Sequence, residues 1–245
     1  MIDREAFALA CDKCLSSGVN QDGIGTYKEK TLHCILKNYI EPDEGKQEIS
    51  VGSFVADIYN HNGITEIQTR SFNQLRKKLE FFMQEHIVTI VFPMPATKWL
   101  LWVDKDTGET TKKRKSPKKG SPYQAFFELY RIKQFLNNPN LRLRLVMLDM
   151  EEYRFLDGWS RDKKKGSTRC ERIPVALVEE IHIDCPDDYK KLIPDLLPIP
   201  FCSADYAKAT GLNRYSATTA LNVLFSVGVV ERMGRSKKGY LYRTK

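Results

Sequence analysis

Long apolar runs are missing from this chain of 245 residues. No stretch reaches the roughly 18 apolar residues that a helix needs to cross a bilayer, so we expect no membrane partner. The start, Met1-Ile-Asp-Arg-Glu5, lacks the basic and then apolar pattern of a secretory signal. These absences exclude the usual membrane and secreted classes, and we expect a cytoplasmic protein with one medium domain and a small appendage.

Cysteines are few and scattered. The six lie at positions 11, 14, 34, 170, 185 and 202, which is unlike the compact disulfide framework of a small secreted domain, so reduced thiols are expected. Cys11-Asp-Lys-Cys14 has zinc-ligand spacing, but the adjacent His33 and Cys34 would make a poor second half of such a site. Buried thiols on an N-terminal helix are the favoured interpretation.

Positive charge is concentrated in three segments. Residues 112–119 carry six basic and no acidic groups, 161–172 carry six and two, and 203–245 carry eight and two. Together they hold a charge of +16, which leaves −8 for the rest of a chain whose net charge is +8. Such segregation is typical of polyanion binders, and a nucleic-acid backbone is the commonest intracellular polyanion. A merely solvated surface is the alternative.

Apolar periodicity predicts the elements up to residue 92. Residues 28–40 and 71–85 have helical spacing, whereas 51–59 and 64–69 predict two strands around the turn Asn60-His-Asn-Gly63. Residues 87–92 form an apolar run that ends at Pro93, as in a strand buried on both faces. The predicted order is helix, hairpin, helix, strand.

The following segments predict a second hairpin, a helix and a strand. The hairpin begins at 98–103, and its far arm enters the basic segment 112–119. Ser121-Pro122 predicts the start of a helix that runs to about Leu136. A strand is predicted at 141–150, and residues 174–183 close the domain before a proline-rich connector. The helix should bury Phe126, Leu129, Tyr130 and Ile132.

The last segment, 203–245, resembles a winged helix-turn-helix domain. It predicts a helix ended by Gly211, a second helix capped by Asn213, and a basic turn at 234–239 between two short strands. The inner stripe of the second helix is predicted as Ala217, Leu221, Leu224, Phe225 and Gly228. The resemblance implies that DNA is read by Arg214, Tyr215, Ser216, Thr218 and Thr219, and that the wing residues Arg235, Lys237 and Lys238 contact phosphate or the minor groove. Protein contacts are the alternative.

Two acidic residues interrupt the apolar strands of the first predicted hairpin. Pairing of the strands would bring Asp57 and Glu66 close together, and Glu66 would share a face with Gln68 while Ile67 joins the core. Carboxylates beside a core are costly unless they are paired, hydrogen-bonded or metal-bound. Two acids on adjacent strands can hold Mg²⁺ (or Mn²⁺), which activates water and stabilises phosphate charge. Hydrated carboxylates on a surface hairpin are the alternative.

With these elements in order, the N-terminal two-thirds resembles the PD-(D/E)XK nucleases, the restriction-endonuclease-like superfamily. The resemblance rests on residues 28–92, which contain Asp57 and Glu66-Ile-Gln68 in the family's order. It implies an α/β (mixed α+β) fold class, with a restriction-endonuclease-like mixed sheet flanked by helices, plus the small C-terminal winged-helix domain. It also implies that Asp57 and Glu66 ligate the metal, that Gln68 positions water, and that Glu29 of the first helix assists. His33 is a further candidate on that helix.

Two departures from the family pattern concern Ala56 and Gln68. Ala56 replaces a proline that does no chemistry. Gln68 replaces the usual lysine, and a neutral amide cannot take a proton from water although it can orient water by hydrogen bonding. Lys77 or Lys78 on the next predicted helix could supply the missing cation, or both could simply be solvated.

The two basic loops share the word Lys-Lys-Gly-Ser, at 118–121 and 164–167. Lysine supplies charge, and glycine lets backbone N–H groups approach phosphate oxygens. Solvated loops without a ligand are the alternative. The candidate DNA contacts in these loops are Arg114, Lys115, Lys118, Lys119, Lys163, Lys164 and Lys165.

The predicted organisation is an N-terminal helical extension (1–24), a nuclease-like domain (25–185), a linker (186–195) and a winged-helix domain (196–245). We expect a Mg²⁺-dependent endonuclease that acts on double-stranded DNA, and a homodimer would suit cleavage of both strands. The alternative is a non-catalytic DNA-binding or regulatory protein built on a degenerate nuclease fold. An RNA-processing enzyme would need stacking aromatic residues that the pattern does not place.

Overall fold

The computed structural model describes residues 2–18, 31–104, 106–158, 168–237 and 239–245. The helices are α1 (Arg4–Gly18), α2 (Thr31–Ile40), α3 (Arg76–Phe82), α4 (Phe126–Leu129), α5 (Ser203–Thr210) and α6 (Arg214–Ser226). The strands are β1 (Gln47–Val51), β2 (Phe54–Asn60), β3 (Gly63–Ile67), β4 (Val88–Val103), β5 (Arg114–Lys115), β6 (Leu141–Phe155), β7 (Arg169–Ile183), β8 (Val230–Ser236) and β9 (Gly239–Thr244). Short 3-10 turns cover Glu44–Lys46, Phe72–Leu75, Pro122–Ala125, Tyr130–Phe135 and Pro186–Leu192.

The main sheet is mixed. Its strand order is β1-β2-β3-β4-β6-β7, and β5 pairs with β4. The β2 and β3 strands are antiparallel, whereas β3 and β4 are parallel and place Glu66 opposite Ile90. The fold is therefore mixed α/β with a mixed sheet flanked by helices, which confirms the predicted class at this level. Among the described helices, none is long and apolar enough to cross a membrane.

The chain forms two compact units. The first contains residues 1–47, 94–120 and 146–179, and the second contains 48–93, 121–145 and 180–245. The three longest strands, β4, β6 and β7, contribute residues to each unit.

In the first unit, α1 and α2 pack through apolar side chains. The rings of Phe7 and Tyr39 form a T-shaped contact with their centroids 5.4 Å apart. Ile35 and Leu36 are fully buried. A disulfide between Cys14 and Cys34 joins the two helices, so the expectation of reduced thiols is wrong for this pair. Packing of α2 on α1 brings the Cα atoms of Cys14 and Cys34 to 6.4 Å from each other. The spacing of the cysteines in the sequence does not reveal this tertiary contact.

Cys11, the other half of the zinc-like pair, remains a thiol. Burial and the neighbouring Asp12 raise the pKa of Cys11 to about 11, which disfavours the thiolate that a zinc ion requires. The buried-thiol interpretation is therefore wrong for Cys14, which is bridged, whereas Cys11 is a free thiol that is half-buried.

In the second unit, aromatic and aliphatic side chains fill the space between α3 and the strands. Phe54 and Phe82 pack with ring centroids 5.8 Å apart, and Phe72 packs on Phe92 at 4.9 Å. Leu79, on the same face of α3, is fully buried. This packing fixes the helix against the strands that carry the two acidic residues.

The first predicted hairpin is confirmed. Strands β2 and β3 pair in the register Ile58 opposite Thr65, and Gly63 has a φ of 105° at the turn. A Cβ atom on Gly63 would lie 2.3 Å from the carbonyl oxygen of Ile87, so the close approach of this backbone also requires glycine.

Several predicted boundaries are wrong. Strand β4 continues through Pro93 to Val103, since proline is tolerated in a strand wherever its missing N–H is not needed by the ladder. The helix predicted at 71–85 is a 3-10 turn followed by the shorter α3, and Ser71 adopts a φ of 60° just before it. The helix predicted from Ser121 is broken at Ile132 (φ −116°, ψ 22°). Strand β6 extends beyond its predicted end to Phe155, and the segment 174–183, to which no element was assigned, lies in β7.

The C-terminal segment has the predicted order of helix, turn, helix and hairpin. Gly211 ends α5 with a φ of 70°, and the Asn213 side chain caps α6 by accepting from the Ser216 N–H at 2.8 Å.

Two side chains predicted as buried are exposed instead, namely Phe225 (40%) and Tyr130 (47%). Each has a cationic side chain over its ring, so the apolar face is covered by a cation and not by the core.

Candidate active site and nucleic-acid contacts

Asp57 and Glu66 lie beside each other on the first hairpin. Extending the register of Ile58 and Thr65 by one residue sets them directly opposite, and opposite residues of an antiparallel pair share a face. The Asp57 carboxylate accepts a hydrogen bond from the Ile67 N–H at 2.7 Å, and the Asp57 N–H in turn donates to the Glu66 carboxylate. These reciprocal bonds hold the two carboxylates at one site.

Glu66 is buried, with 3% of its surface exposed. Burial and the nearby charge of Asp57 raise the pKa of Glu66 from 4.5 to about 7, against the opposing effect of hydrogen bonding and charge from Lys78. The site therefore holds a carboxylate that is only partly ionised near neutral pH. A buried carboxylate beside a second, half-buried carboxylate is an environment that a cation stabilises.

Lys78 forms an ion pair with Glu66. Its ammonium lies 2.8 and 2.9 Å from the two Glu66 carboxylate oxygens and donates to the Val55 carbonyl at 2.7 Å. Lys77, its neighbour on α3, is exposed. Of the two lysines that the sequence offered as a replacement for the missing cation, the structure places Lys78 at the acids.

The donor set fits a divalent metal ion in part. Asp57 and Glu66 offer carboxylate oxygens, the ligands that Mg²⁺ prefers. Within the described residues, no cluster of three or more histidine, cysteine, aspartate or glutamate side chains is present. A metal at this position would therefore take its remaining ligands from water and a bound phosphate, which is the usual arrangement for Mg²⁺.

The other predicted catalytic residues are less closely connected to the acids. The Gln68 amide donates to the Arg70 carbonyl at 2.5 Å, within its own loop. His33 lies on α2 in the first unit. Glu29 lies outside the described residues.

Part of the basic segment 112–119 forms the short strand β5. Arg114 and Lys115 pair with Leu100 and Trp99 of β4, and the Lys115 ammonium lies 5.5 Å from the centroid of the Trp99 ring. Lys118 and Lys119 are exposed in the following turn. The candidates Lys163, Lys164 and Lys165 lie outside the described residues.

The predicted DNA-reading residues of α6 divide between two depressions. Arg214, Tyr215 and Thr218 line one together with Tyr240 of β9, and Tyr215 is 75% exposed. Ser216 and Thr219 line another, beside Tyr123 and Gln124. The first group thus shares a surface with the wing.

One wing residue, Arg235, adjoins an aromatic and cationic stack. Arg235 lies 5.6 Å from the Tyr240 ring centroid, Lys237 is exposed, and Lys238 lies outside the described residues. The sequence reasoning missed Arg232, whose guanidinium lies between the rings of Phe225 (4.2 Å) and Tyr240 (4.1 Å). The sequence offered one signal for this contact, because Phe225 of the second predicted helix is followed seven residues later by Arg232.

Comparison with known proteins finds relatives without an assigned activity. A family model described as "Domain of unknown function (DUF8091)" matches residues 30–184, more than half of the chain. A protein of Treponema pallidum (strain Nichols), described as "Uncharacterized protein", is 27% identical over 229 residues, which cover 90% of this chain and 87% of that protein. No solved structure matches.

Proposed function

The chain belongs to the family described as "Domain of unknown function (DUF8091)", and we propose that it is a Mg²⁺-dependent DNA endonuclease with a winged-helix DNA-binding tail. In this proposal, the hairpin, α3 and β4 form a restriction-endonuclease-like arrangement, and the substrate is double-stranded DNA.

The observation that carries the proposal is the group formed by Asp57, Glu66 and Lys78. A buried carboxylate with a raised pKa beside a second carboxylate and a fixed ammonium is unusual for a purely structural hairpin, because desolvation of such charges costs free energy. Two oxygen ligands and one cation are the components that phosphodiester hydrolysis needs. Lys78 supplies the positive charge that Gln68 lacks.

In the proposed reaction, a water oxygen forms a bond to phosphorus while the bond from phosphorus to the leaving sugar oxygen breaks. The attacking water loses a proton to solvent, and the leaving oxygen takes a proton from solvent. A divalent ion held by Asp57 and Glu66 would supply Lewis-acid stabilisation of the phosphate charge. The Lys78 ammonium, fixed by Glu66 and the Val55 carbonyl, would stabilise the same charge without reorganising. Gln68 remains the candidate that orients water.

The surface shared by α6 and the wing supports DNA binding by the tail. Arg214 and Arg235 supply positive charge, and the exposed Tyr215 and the ring of Tyr240 supply stacking surface. The Thr218 hydroxyl already donates to the Arg214 carbonyl at 3.0 Å, so we expect this residue to contribute shape more than base reading.

Incubation of plasmid DNA with the purified protein and Mg²⁺ or Mn²⁺ tests the proposal. We expect nicked or linear products from the wild type, and no cleavage with retained DNA binding from Asp57→Ala. Asp195→Ala, which removes an exposed aspartate of the connector, is the control and should cleave normally. Equal inactivity of the wild type and Asp57→Ala over a broad set of DNA substrates would refute the catalytic function.

A second candidate function is DNA binding without catalysis. The observation that favours it is that Lys78 already satisfies both oxygens of Glu66, while the Gln68 amide is engaged by the Arg70 carbonyl. A carboxylate whose two oxygens already accept hydrogen bonds from an ammonium gains less free energy from binding a metal ion. Both candidates predict salt-sensitive DNA binding through phosphate contacts, so cleavage is the measurement that separates them.

A further inference from the structure

A depression in the second unit lies between the start of α6 and the wing. Its lining includes Arg214, Tyr215 and Thr218 of α6 and Tyr240 and Tyr242 of β9. Its volume is about 410 Å³, within the range of sites that enclose small organic groups. The depression therefore has room for a planar ring of the size of a nucleobase.

Two exposed aromatic rings share this depression. Tyr215 is 75% exposed, the largest value among the aromatic side chains that the structure describes, and Tyr240 is 44% exposed. A single exposed ring is ordinary on a protein surface, whereas exposed rings that gather at one depression are typical of a binding surface. The pair therefore points to a ligand that presents a flat apolar face.

Neighbouring side chains hold the Tyr240 ring in place. It meets the ring of Tyr242 with centroids 6.4 Å apart, and the buried Tyr242 stacks on Phe201 at 6.1 Å. The guanidinium groups of Arg232 and Arg235 lie 4.1 and 5.6 Å from the Tyr240 ring centroid. Because the ring is fixed before a ligand arrives, binding orders fewer side chains and costs less entropy.

The surface around the depression is basic. Residues 203–245 carry a net charge of +6, and neither of their two acids, Asp205 and Glu231, lines the depression. Arg214 lies in the lining, and Arg235 adjoins it at the Tyr240 ring. Positive charge interleaved with aromatic rings complements a single-stranded nucleic acid, which joins a phosphate backbone to flat bases. An apolar peptide would match the rings but not the charge.

The side chains of α6 favour an unpaired base over an intact duplex. The Thr218 and Thr219 hydroxyls donate to the carbonyls of Arg214 and Tyr215 at 3.0 and 3.1 Å, so both are engaged within the helix and poorly placed to read the edges of base pairs. A tyrosine ring needs the face of a base, and in a duplex the neighbouring base pairs cover that face. The rings at this surface can therefore be used fully only by a base that has left the stack.

We propose that this depression binds an unpaired base of DNA, which stacks on Tyr215 while Arg214 and Arg235 contact the flanking phosphates. Tyr240 forms the side of the site that faces the wing. The inference rests on the proposed function and deepens it, because it makes the substrate a duplex that carries a single-stranded extension. Stacking on tyrosine accepts every base, so the site selects the unpaired state and not a sequence.

Fluorescence anisotropy with the full chain tests the site, and every protein carries Asp57→Ala so that cleavage does not interfere. The probes are a labelled blunt duplex and the same duplex with a single-stranded extension of about ten nucleotides. We expect the extended duplex to bind the parent Asp57→Ala protein about tenfold more tightly than the blunt one. Tyr215→Ala should lose most of this preference and should bind the blunt duplex within about twofold of the parent, because the side chain is largely exposed. Tyr215→Phe should keep the preference, since stacking needs only the ring.

A base analogue reports stacking directly. The fluorescence of 2-aminopurine at the first unpaired position should fall when the parent or Tyr215→Phe binds, and should not fall when Tyr215→Ala binds. Tyr130→Ala is the matched control, because it removes another exposed tyrosine whose ring has a cation, Lys133, at 5.1 Å. It should leave the affinity for both probes unchanged.

Two results would overturn the inference, namely equal affinity of the parent for the two probes, or equal losses in Tyr130→Ala and Tyr215→Ala. A preference for the extended duplex that depends on Tyr215 supports the site even if the wild type cleaves no DNA. Cleavage by the wild type without this preference would instead support the proposed function and refute this inference alone.

Discussion

Replacing Glu66 with glutamine should change how stability depends on pH. The folded-state pKa of Glu66 is raised from 4.5 to about 7, so the folded chain holds a proton that the unfolded chain has lost between these values. The stability contributed by this group is present below the unfolded pKa and is lost as pH rises through 7. Glu66→Gln keeps the shape of the side chain but removes the titration.

The expected magnitude follows from the two pKa values. A difference of one pKa unit corresponds to about 1.4 kcal/mol, so ionised Glu66 costs the folded protein roughly 3 kcal/mol above pH 7. Between about pH 5 and pH 8, the free energy of unfolding of Glu66→Gln should therefore rise relative to the wild type by up to roughly that amount. Lys78 then lacks its carboxylate partner, which lowers the stability of the variant by a similar amount at every pH and does not change the pH-dependent difference.

Urea denaturation in the presence of EDTA, repeated across this pH range, measures the difference. Glu80→Gln is the control because Glu80 is an exposed glutamate on the helix that carries Lys78. Saturating Mg²⁺ should stabilise the wild type increasingly as pH rises and should leave Glu66→Gln nearly unchanged. Parallel stability curves for the wild type and Glu66→Gln would refute the reasoning, because they would mean that Glu66 ionises as an ordinary carboxyl.

The remaining predictions concern the cation, the turn, the disulfide and the core. Lys78→Gln should lower the Mg²⁺-dependent cleavage rate by about a hundredfold or more, whereas Lys77→Gln should leave it within about twofold. Gly63→Ala should destabilise the second unit by about 1–3 kcal/mol in urea denaturation, because the residue needs a φ of 105° and its Cβ would meet the Ile87 carbonyl; an unchanged stability would contradict this packing. Cys14→Ser should lower the free energy of unfolding by about 3 kcal/mol, the value that loop entropy gives for a bridge of this span. Reduction of the wild type should lower its free energy of unfolding by a similar amount. Leu79→Ala should cost about 2–5 kcal/mol, and a smaller loss would show that this fully buried site can collapse.

The hairpin that carries the acids could be predicted because its determinants are local. The Asn60-His-Asn-Gly63 turn and the alternation on each side fix the register, and the register sets Asp57 opposite Glu66. The course of β4 could not be predicted in the same way. Whether Pro93 ends a strand depends on which N–H groups the neighbouring strands need, and that is decided by tertiary pairing.

The choice between Lys77 and Lys78 also required the structure. Adjacent residues of a helix point about 100° apart, so only the rotation of α3 on the sheet decides which ammonium reaches Glu66. That rotation is set by the packing of Leu79 and Phe82. The ion pairs of the buried Glu152 with Lys98 and Arg172 were missed for a similar reason, because the two cations come from strands that are distant from Glu152 in sequence.

The Cys14–Cys34 bridge shows the same limit in the first unit. The two cysteines are separated by 20 residues, part of which lies outside the described chain, and no spacing rule predicts their contact. Only the packing of α2 against α1 makes it possible.

Single-turnover cleavage of an end-labelled duplex, compared between the wild type and Asp57→Asn, tests most directly whether Asp57, Glu66 and Lys78 form a hydrolytic site. The prediction is strand scission by the wild type that requires Mg²⁺ or Mn²⁺ and stops on addition of EDTA. Asp57→Asn should bind the duplex with similar affinity and leave it intact. Cleavage that is equal in the two proteins, or that is absent from both at saturating metal, would contradict a catalytic role for this site.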